Sequence, residues 1–158
     1  MYKIIIHHTA GTYSVNSCDK KHYHYIVDGT GTVIKGDYSI HDNDNCKDGK
    51  YAAHTYLGNT KSIGVAVACN KDFKLSAPKT STMYPLNVLQ YRALIKLVQR
   101  LQREYNVSLS NIYTHYSFDK SRNIKQGKVD ITYIPWIPDL TPDEVQKQIK
   151  TDIQKYKL

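Results

Sequence analysis

Apolar residues along the chain follow two rhythms, one of strands and one of helices. Ile4-Ile5-Ile6 is an unbroken β-branched run leading into His7-His8-Thr9-Ala10, the pattern of a strand buried on both faces. Ser62-Ile63-Gly64-Val65-Ala66-Val67-Ala68 repeats it, with Gly64 permitting close backbone approach. His22 to Val27 alternates and is rich in aromatics. Asp28-Gly29-Thr30-Gly31 then supplies turn residues, and Thr32 to Lys35 returns as the partner strand of a hairpin. Asn111 to His115 reads as a further strand.

Helical spacing occurs twice. Leu86, Leu89, Ala93, Leu97, Leu101 and Tyr105 recur at intervals of three or four, with Lys and Arg opposite and Asn106 closing the helix. Thr141-Pro142-Asp143-Glu144 has the form of a capping box with Pro at the first helical position, and Val145, Ile149 and Ile153 continue as a stripe. So narrow a stripe is expected to pack on the domain rather than lie on a membrane. Thr9 to Lys21, Gly36 to Lys50 and Lys71 to Met83 are polar and read as loops. With 158 residues and neither repeat nor linker, residues 1–158 are expected to form one α/β domain. The architecture expected is a central mixed β-sheet flanked by helices.

Composition narrows this further. No stretch approaches the ~18 apolar residues of a membrane-spanning helix. The N-terminus runs straight into a strand without the features of a signal peptide, so synthesis in the cytoplasm is expected. Cys18, Cys46 and Cys69 cannot all pair and are expected to be reduced, Cys69 as buried packing and the other two in polar surroundings open to a metal. A formal net charge of +8 favours a polyanionic partner or surface. The Lys and Arg residues are scattered along the chain, which argues against specific nucleic-acid binding.

The candidate chemistry lies in the histidines. His7 ends one strand and His115 another, which puts both at the carboxyl edge of a sheet, where open α/β folds hold ligands. With an acidic residue from Lys128-Val129-Asp130 they would give Zn²⁺ three protein ligands and leave a fourth position for water, the arrangement of a catalytic site. Asp119 competes with Asp130 for the third place. The spacing Asp44, Cys46, Asp48 and Gly49 approaches that of a calcium loop, but Thr55 occupies the twelfth position where an EF-hand carries Glu, so a solvated loop is expected.

Four blocks, in order, resemble the zinc-dependent N-acetylmuramoyl-L-alanine amidases, a family that includes many phage endolysins and is similar to the peptidoglycan recognition proteins. They are Ile5-Ile6-His7-His8-Thr9-Ala10; Tyr23-His24-Tyr25-Ile26-Val27 with Gly31-Thr32-Val33; Ala53-His54 with Asn59 and Ser62-Ile63-Gly64-Val65; and His115 with Lys128 two residues before Asp130. The chain departs from the family pattern in several places. The segment between His7 and Tyr23 is short, implying loss of the helix usual there, and the interval from His115 to Asp130 is long. Ser117 stands where an acidic residue is frequent, Ile131-Thr132 replaces Pro-Gly, and Ala66 occupies a place where some members carry a catalytic Glu.

The resemblance implies hydrolysis of the amide between N-acetylmuramic acid and L-alanine in peptidoglycan, with His7, His115 and Asp130 as metal ligands. It places Lys128 at the oxyanion, Tyr23 as a hydrogen-bonding partner of water or carbonyl, and His54 on the substrate side. His8 or Thr9 would orient the metal-bound imidazoles, and Tyr133 and Trp136 either wall the groove or pack. The expectation is a monomeric phage-type endolysin without a separate wall-binding domain, released from the cytoplasm to the wall and held there by anionic envelope polymers. The alternative is a non-catalytic recognition module of the same fold.

Overall fold

The computed structural model describes residues 1–77 and 82–156; residues 78–81 of the expected Lys71–Met83 loop lie outside the described residues. Five strands, β1 (Lys3–His8), β2 (Tyr25–Val27), β3 (Val33–Lys35), β4 (Ser62–Val67) and β5 (Ile112–Thr114), form one sheet in the order β3-β2-β4-β1-β5. β2, β4, β1 and β5 run parallel, and β3 returns antiparallel to β2, so the sheet is mixed as expected. β1 therefore lies between β4 and β5, with His7 beside Ala66.

Alternation along β1 and β4 divides the sheet into two faces. Ile4, Ile6, Ile63, Val65 and Val67 enter the main core together with α2 (Val88–Glu104) and α4 (Pro142–Lys155). Ile5 and His7, paired with Gly64 and Ala66, point to the opposite face. The three isoleucines of β1 are fully buried, each contributing roughly 1.5–3 kcal/mol relative to exposure.

Asn87 and Gln90 form a capping box at the start of α2, and Asn106 follows its end with a left-handed backbone. The buried stripe is Tyr91, Leu94, Ile95, Leu97, Val98 and Leu101, whereas Leu89 is exposed. Leu86, Leu97 and Leu101 of the expected stripe are buried, and Ala93 and Tyr105 pack against the same core, so the buried face is the expected one widened by Tyr91, Leu94, Ile95 and Val98. In α4, Val145, Ile149 and Ile153 pack on the domain, and the Tyr91 hydroxyl donates to Asp152 (2.6 Å). The backbone N–H of Thr114, on edge strand β5, donates to Gln146 Oε1 of α4 (2.7 Å).

Two expectations are corrected near the site. A helix, α1 (Ser17–His22), stands in the stretch expected to be loop and to lack one. An Asn16–Asp19 capping box starts it and Lys20, Lys21 and His22 complement its C-terminal dipole, but it buries no residue, so hydrophobic spacing could not reveal it. The strand expected from His22 consequently begins only at Tyr25. His115 is likewise not the end of a strand but the first residue of a second unexpected helix, α3 (His115–Ser121). It is capped by the Thr114 side chain, which accepts from the Ser117 N–H.

Candidate metal centre

His7 Nδ1, His115 Nδ1 and Asp130 Oδ2 converge from three parts of the chain. They form a triangle with sides of 3.1 Å between the two nitrogens, 3.0 Å from His7 to Asp130 and 3.2 Å from His115 to Asp130. All three residues are buried. Three atoms each bonded to one zinc at ~2.0–2.1 Å in tetrahedral geometry would be about 3.3 Å apart, so the triangle is close to one face of such a tetrahedron. Two imidazole nitrogens and a carboxylate oxygen also match the N/O donor preference of zinc.

Hydrogen bonds behind the triangle fix which nitrogen of His7 is free. His54 lies under β4 with its Nε2 facing the Ser62 carbonyl (3.4 Å), which leaves its Nδ1 to accept. That Nδ1 lies 3.0 Å from Nε2 of His7 and 2.8 Å from Thr55 Oγ1. The His7 proton therefore sits on Nε2, and the Nδ1 lone pair is directed into the triangle. Room for the His54 ring depends on Gly64, where a Cβ would fall 2.5 Å from His54 Cγ.

His24 secures the same strand from the other side. Its Nδ1 accepts from the Gly64 N–H (2.9 Å), and its Nε2–H donates to Asn43 Oδ1 (3.0 Å). Buried Asn43 donates in turn to the carbonyls of Ala52 and Asn59, which ties the Gly36–Lys50 excursion to the pocket. Within that excursion Asp44 is engaged by Lys61 and Tyr2, and the segment folds as two short 3-10 turns, Ile40–Asp44 and Cys46–Asp48, rather than as a calcium loop.

On the far side of the triangle, α3 places Asp119 one turn beyond His115. Asp119 Oδ2 lies 3.3 Å from His115 Nε2, and its Oδ1 accepts from Arg122 at 2.6 Å. Arg122 also donates to the carbonyls of Tyr56 and Leu57 at the mouth of the pocket. The Tyr116 N–H donates to the Asp130 carbonyl (2.8 Å), which fixes the loop carrying Asp130 against the same helix.

Burial governs the protonation of these groups. It lowers His7 to about 4, outweighing the attraction of the neighbouring Asp130 carboxylate. It lowers His24 to about 4 and takes His54 well below the usual imidazole range. Burial alone would raise the Asp130 carboxyl, but the His115 and His7 imidazoles beside it hold it well below the ordinary carboxylate range. The His7, His24 and His54 imidazoles are thus neutral and the carboxylate ionised at neutral pH, as metal ligation requires of His7 and Asp130.

The triangle opens into a cavity of about 990 Å³ whose lining includes Tyr23, His54, Phe73 and Lys128. The Tyr23 ring lies 5.1 Å from that of His7, and burial raises its phenol well above the normal range. Lys128 is exposed at the rim. His54 meets His7 directly and so occupies the orienting place expected of His8 or Thr9; His8 instead contacts Asn70 (3.0 Å). Tyr133 stacks on Phe73 behind the cavity, and Trp136 packs edge-on against Tyr91, outside it. Sequence reasoning missed the place of Asp119 at the second ring nitrogen. The signal was its spacing of four from His115, which puts the two on one face of a helix.

The family model for N-acetylmuramoyl-L-alanine amidase matches residues 1–131, ending one residue beyond Asp130. The chain belongs to this family. No curated protein matches the sequence. Among solved structures, the endolysin of the Thermus scotoductus MAT2119 bacteriophage Ph2119 is similar with a TM-score of 0.57 and 18% identity, over 96% of this chain and 84% of that one. A point mutant of PlyL is similar with a TM-score of 0.54 and 16% identity, over 98% of this chain and 85% of that one. The catalytic domain of XlyA follows with 0.50 and 14%, over 96% and 88%. At these identities the likeness is one of fold.

Proposed function

We propose that this amidase-family chain is a zinc-dependent N-acetylmuramoyl-L-alanine amidase that works as a phage-type endolysin, with residues 1–158 as one catalytic domain. The observation that carries the reading is the triangle of His7 Nδ1, His115 Nδ1 and Asp130 Oδ2, sized for a zinc ion and open to a large cavity. Bound there, zinc supplies activation of water near neutral pH and Lewis acidity toward an amide carbonyl.

The chain's own groups do the rest. His54 holds His7 in the tautomer that presents Nδ1. The Tyr23 phenol keeps its proton across the neutral range and donates it as a hydrogen bond into the cavity. Lys128 brings a cation to the rim, where it stabilises negative charge developing on the amide oxygen. Ala66 leaves the central strand without a carboxylate, so Glu-based proton transfer from that position is not used. The substrate is peptidoglycan, and the site of action is the bacterial wall. Among the described residues, no helix is long and apolar enough to cross a membrane.

The test is mass spectrometry of purified peptidoglycan fragments incubated with zinc or with chelator. Free L-alanine amino termini together with unsubstituted muramic acid, present only with zinc, are expected. Intact fragments in both samples with retained wall affinity would make the chain a recognition module instead.

A further inference from the structure

The cations that look scattered in sequence are partly aligned in space. Arg92, Lys96, Arg100 and Arg103 recur along α2 at helical spacing, are all exposed, and line one groove of roughly 600 Å³ between this helix and the β2–β3 hairpin. The floor is apolar, with Val33, Leu89 and Leu97, and among the described residues no carboxylate or aromatic ring is in the lining. Lys35 shares the face of Val33 by strand alternation. Among the described residues, none of the four helix cations forms an ion pair; Arg100 is steadied over the Tyr25 ring at 5.5 Å.

Like charges four apart on a helix oppose its stability. Glu104 is the single acidic residue in α2, and it lies at the far end. The row spans about 16 Å along the axis, with a cation every ~6 Å. A ligand that matches it carries repeated anionic charge joined by short aliphatic segments that lie on the apolar floor. Single-stranded nucleic acid would call for aromatic stacking platforms, which the groove lacks.

We propose that the α2 groove binds a polyol-phosphate polymer of the bacterial envelope. The wall as the source of that polymer rests on the proposed function, whereas the binding itself does not. His7 points to the opposite face of the sheet from α2. A polymer in the groove therefore leaves the metal centre uncovered, and the protein can be held on the wall while its cavity remains free.

The test is fluorescence anisotropy of labelled poly(glycerol phosphate) over a range of salt concentrations. The groove variant carries Arg92→Gln, Lys96→Gln, Arg100→Gln and Arg103→Gln. The control carries Lys21→Gln, Lys47→Gln, Lys71→Gln and Lys155→Gln, which lowers the net charge equally. The groove variant is expected to lose at least about tenfold in affinity and to show a salt slope smaller by on the order of three, while the control loses less than about threefold.

Lys96→Glu alone, which places an acid between two arginines and favours the helix, is expected to lose several-fold. Hydrolysis of a soluble muropeptide is expected to be the same in all proteins. Its absence in all of them would overturn the proposed chemistry and leave the groove standing. Equal losses in groove and control variants, or unchanged binding by Lys96→Glu, would overturn the groove. Tighter binding of duplex DNA than of the polymer at the same salt would overturn its assignment to the envelope.

Discussion

Asp119 Oδ2 lies 3.3 Å from Nε2 of His115, the ring nitrogen opposite the one that meets Asp130. The two carboxylates that compete for the third ligand place in the sequence thus have separate positions. Asp130 completes the triangle with His7, and Asp119 stands beside the imidazole at ion-pair distance but without hydrogen-bond geometry, while Arg122 holds its other oxygen.

Metal affinity should therefore separate the two residues. Asp130→Ala is expected to abolish tight zinc binding, whereas Asp119→Asn should weaken it about 10–100-fold with the fold intact. Competition with a chromophoric chelator measures both. Equal affinity of Asp119→Asn and wild type would show that the carboxylate does not orient His115.

Gly64 is expected to tolerate no side chain. The Cβ of Gly64→Ala would meet the His54 ring at 2.5–2.6 Å, and the ring is buried with its backbone held by Asn59. The expected loss is about 1–3 kcal/mol in urea denaturation, accompanied by weaker zinc binding as His54 withdraws from His7. A variant with wild-type stability and zinc affinity would contradict this account of the relay.

The metal-free protein should be acid-labile through its buried imidazoles. His24 has a folded value of about 4 against an ordinary value of 6.5, so the unfolded chain binds more protons between those limits. Its contribution is fully present above pH 6.5 and is lost as pH falls toward 4, on the order of 3 kcal/mol. His7 and His54 act in the same direction. Urea midpoints across this window should fall steeply, and a flat profile would count against three neutral buried histidines.

Tyr23→Phe should lower kcat without moving the alkaline limb of the pH–rate profile. Burial raises this phenol, so its role is that of a donor rather than a base. A variant that lost an alkaline limb present in the wild type would identify Tyr23 as a titrating group.

Legibility in the sequence followed burial. β1, β4, α2 and α4 announce themselves because they bury apolar faces, and the hairpin because its turn residues are distinctive. α1 buries nothing, and two of the three residues buried in α3 are His115 and Asp119, so neither helix carries an apolar rhythm. The residues of the triangle stand out through motif and spacing. Their supports do not, because the contacts of His24 with Asn43 and of Arg122 with the Tyr56–Leu57 carbonyls depend on loops meeting across the fold.

The order of the chain sets when such a centre can exist. His7 is made before its partners: its strand needs β4 on one side and β5 on the other, and its carboxylate partner comes 123 residues later. At ~5–20 residues per second, translation separates the two by roughly 6–25 s. Until Asp130 has emerged from the ribosome, the nascent chain carries one end of a metal site and no centre.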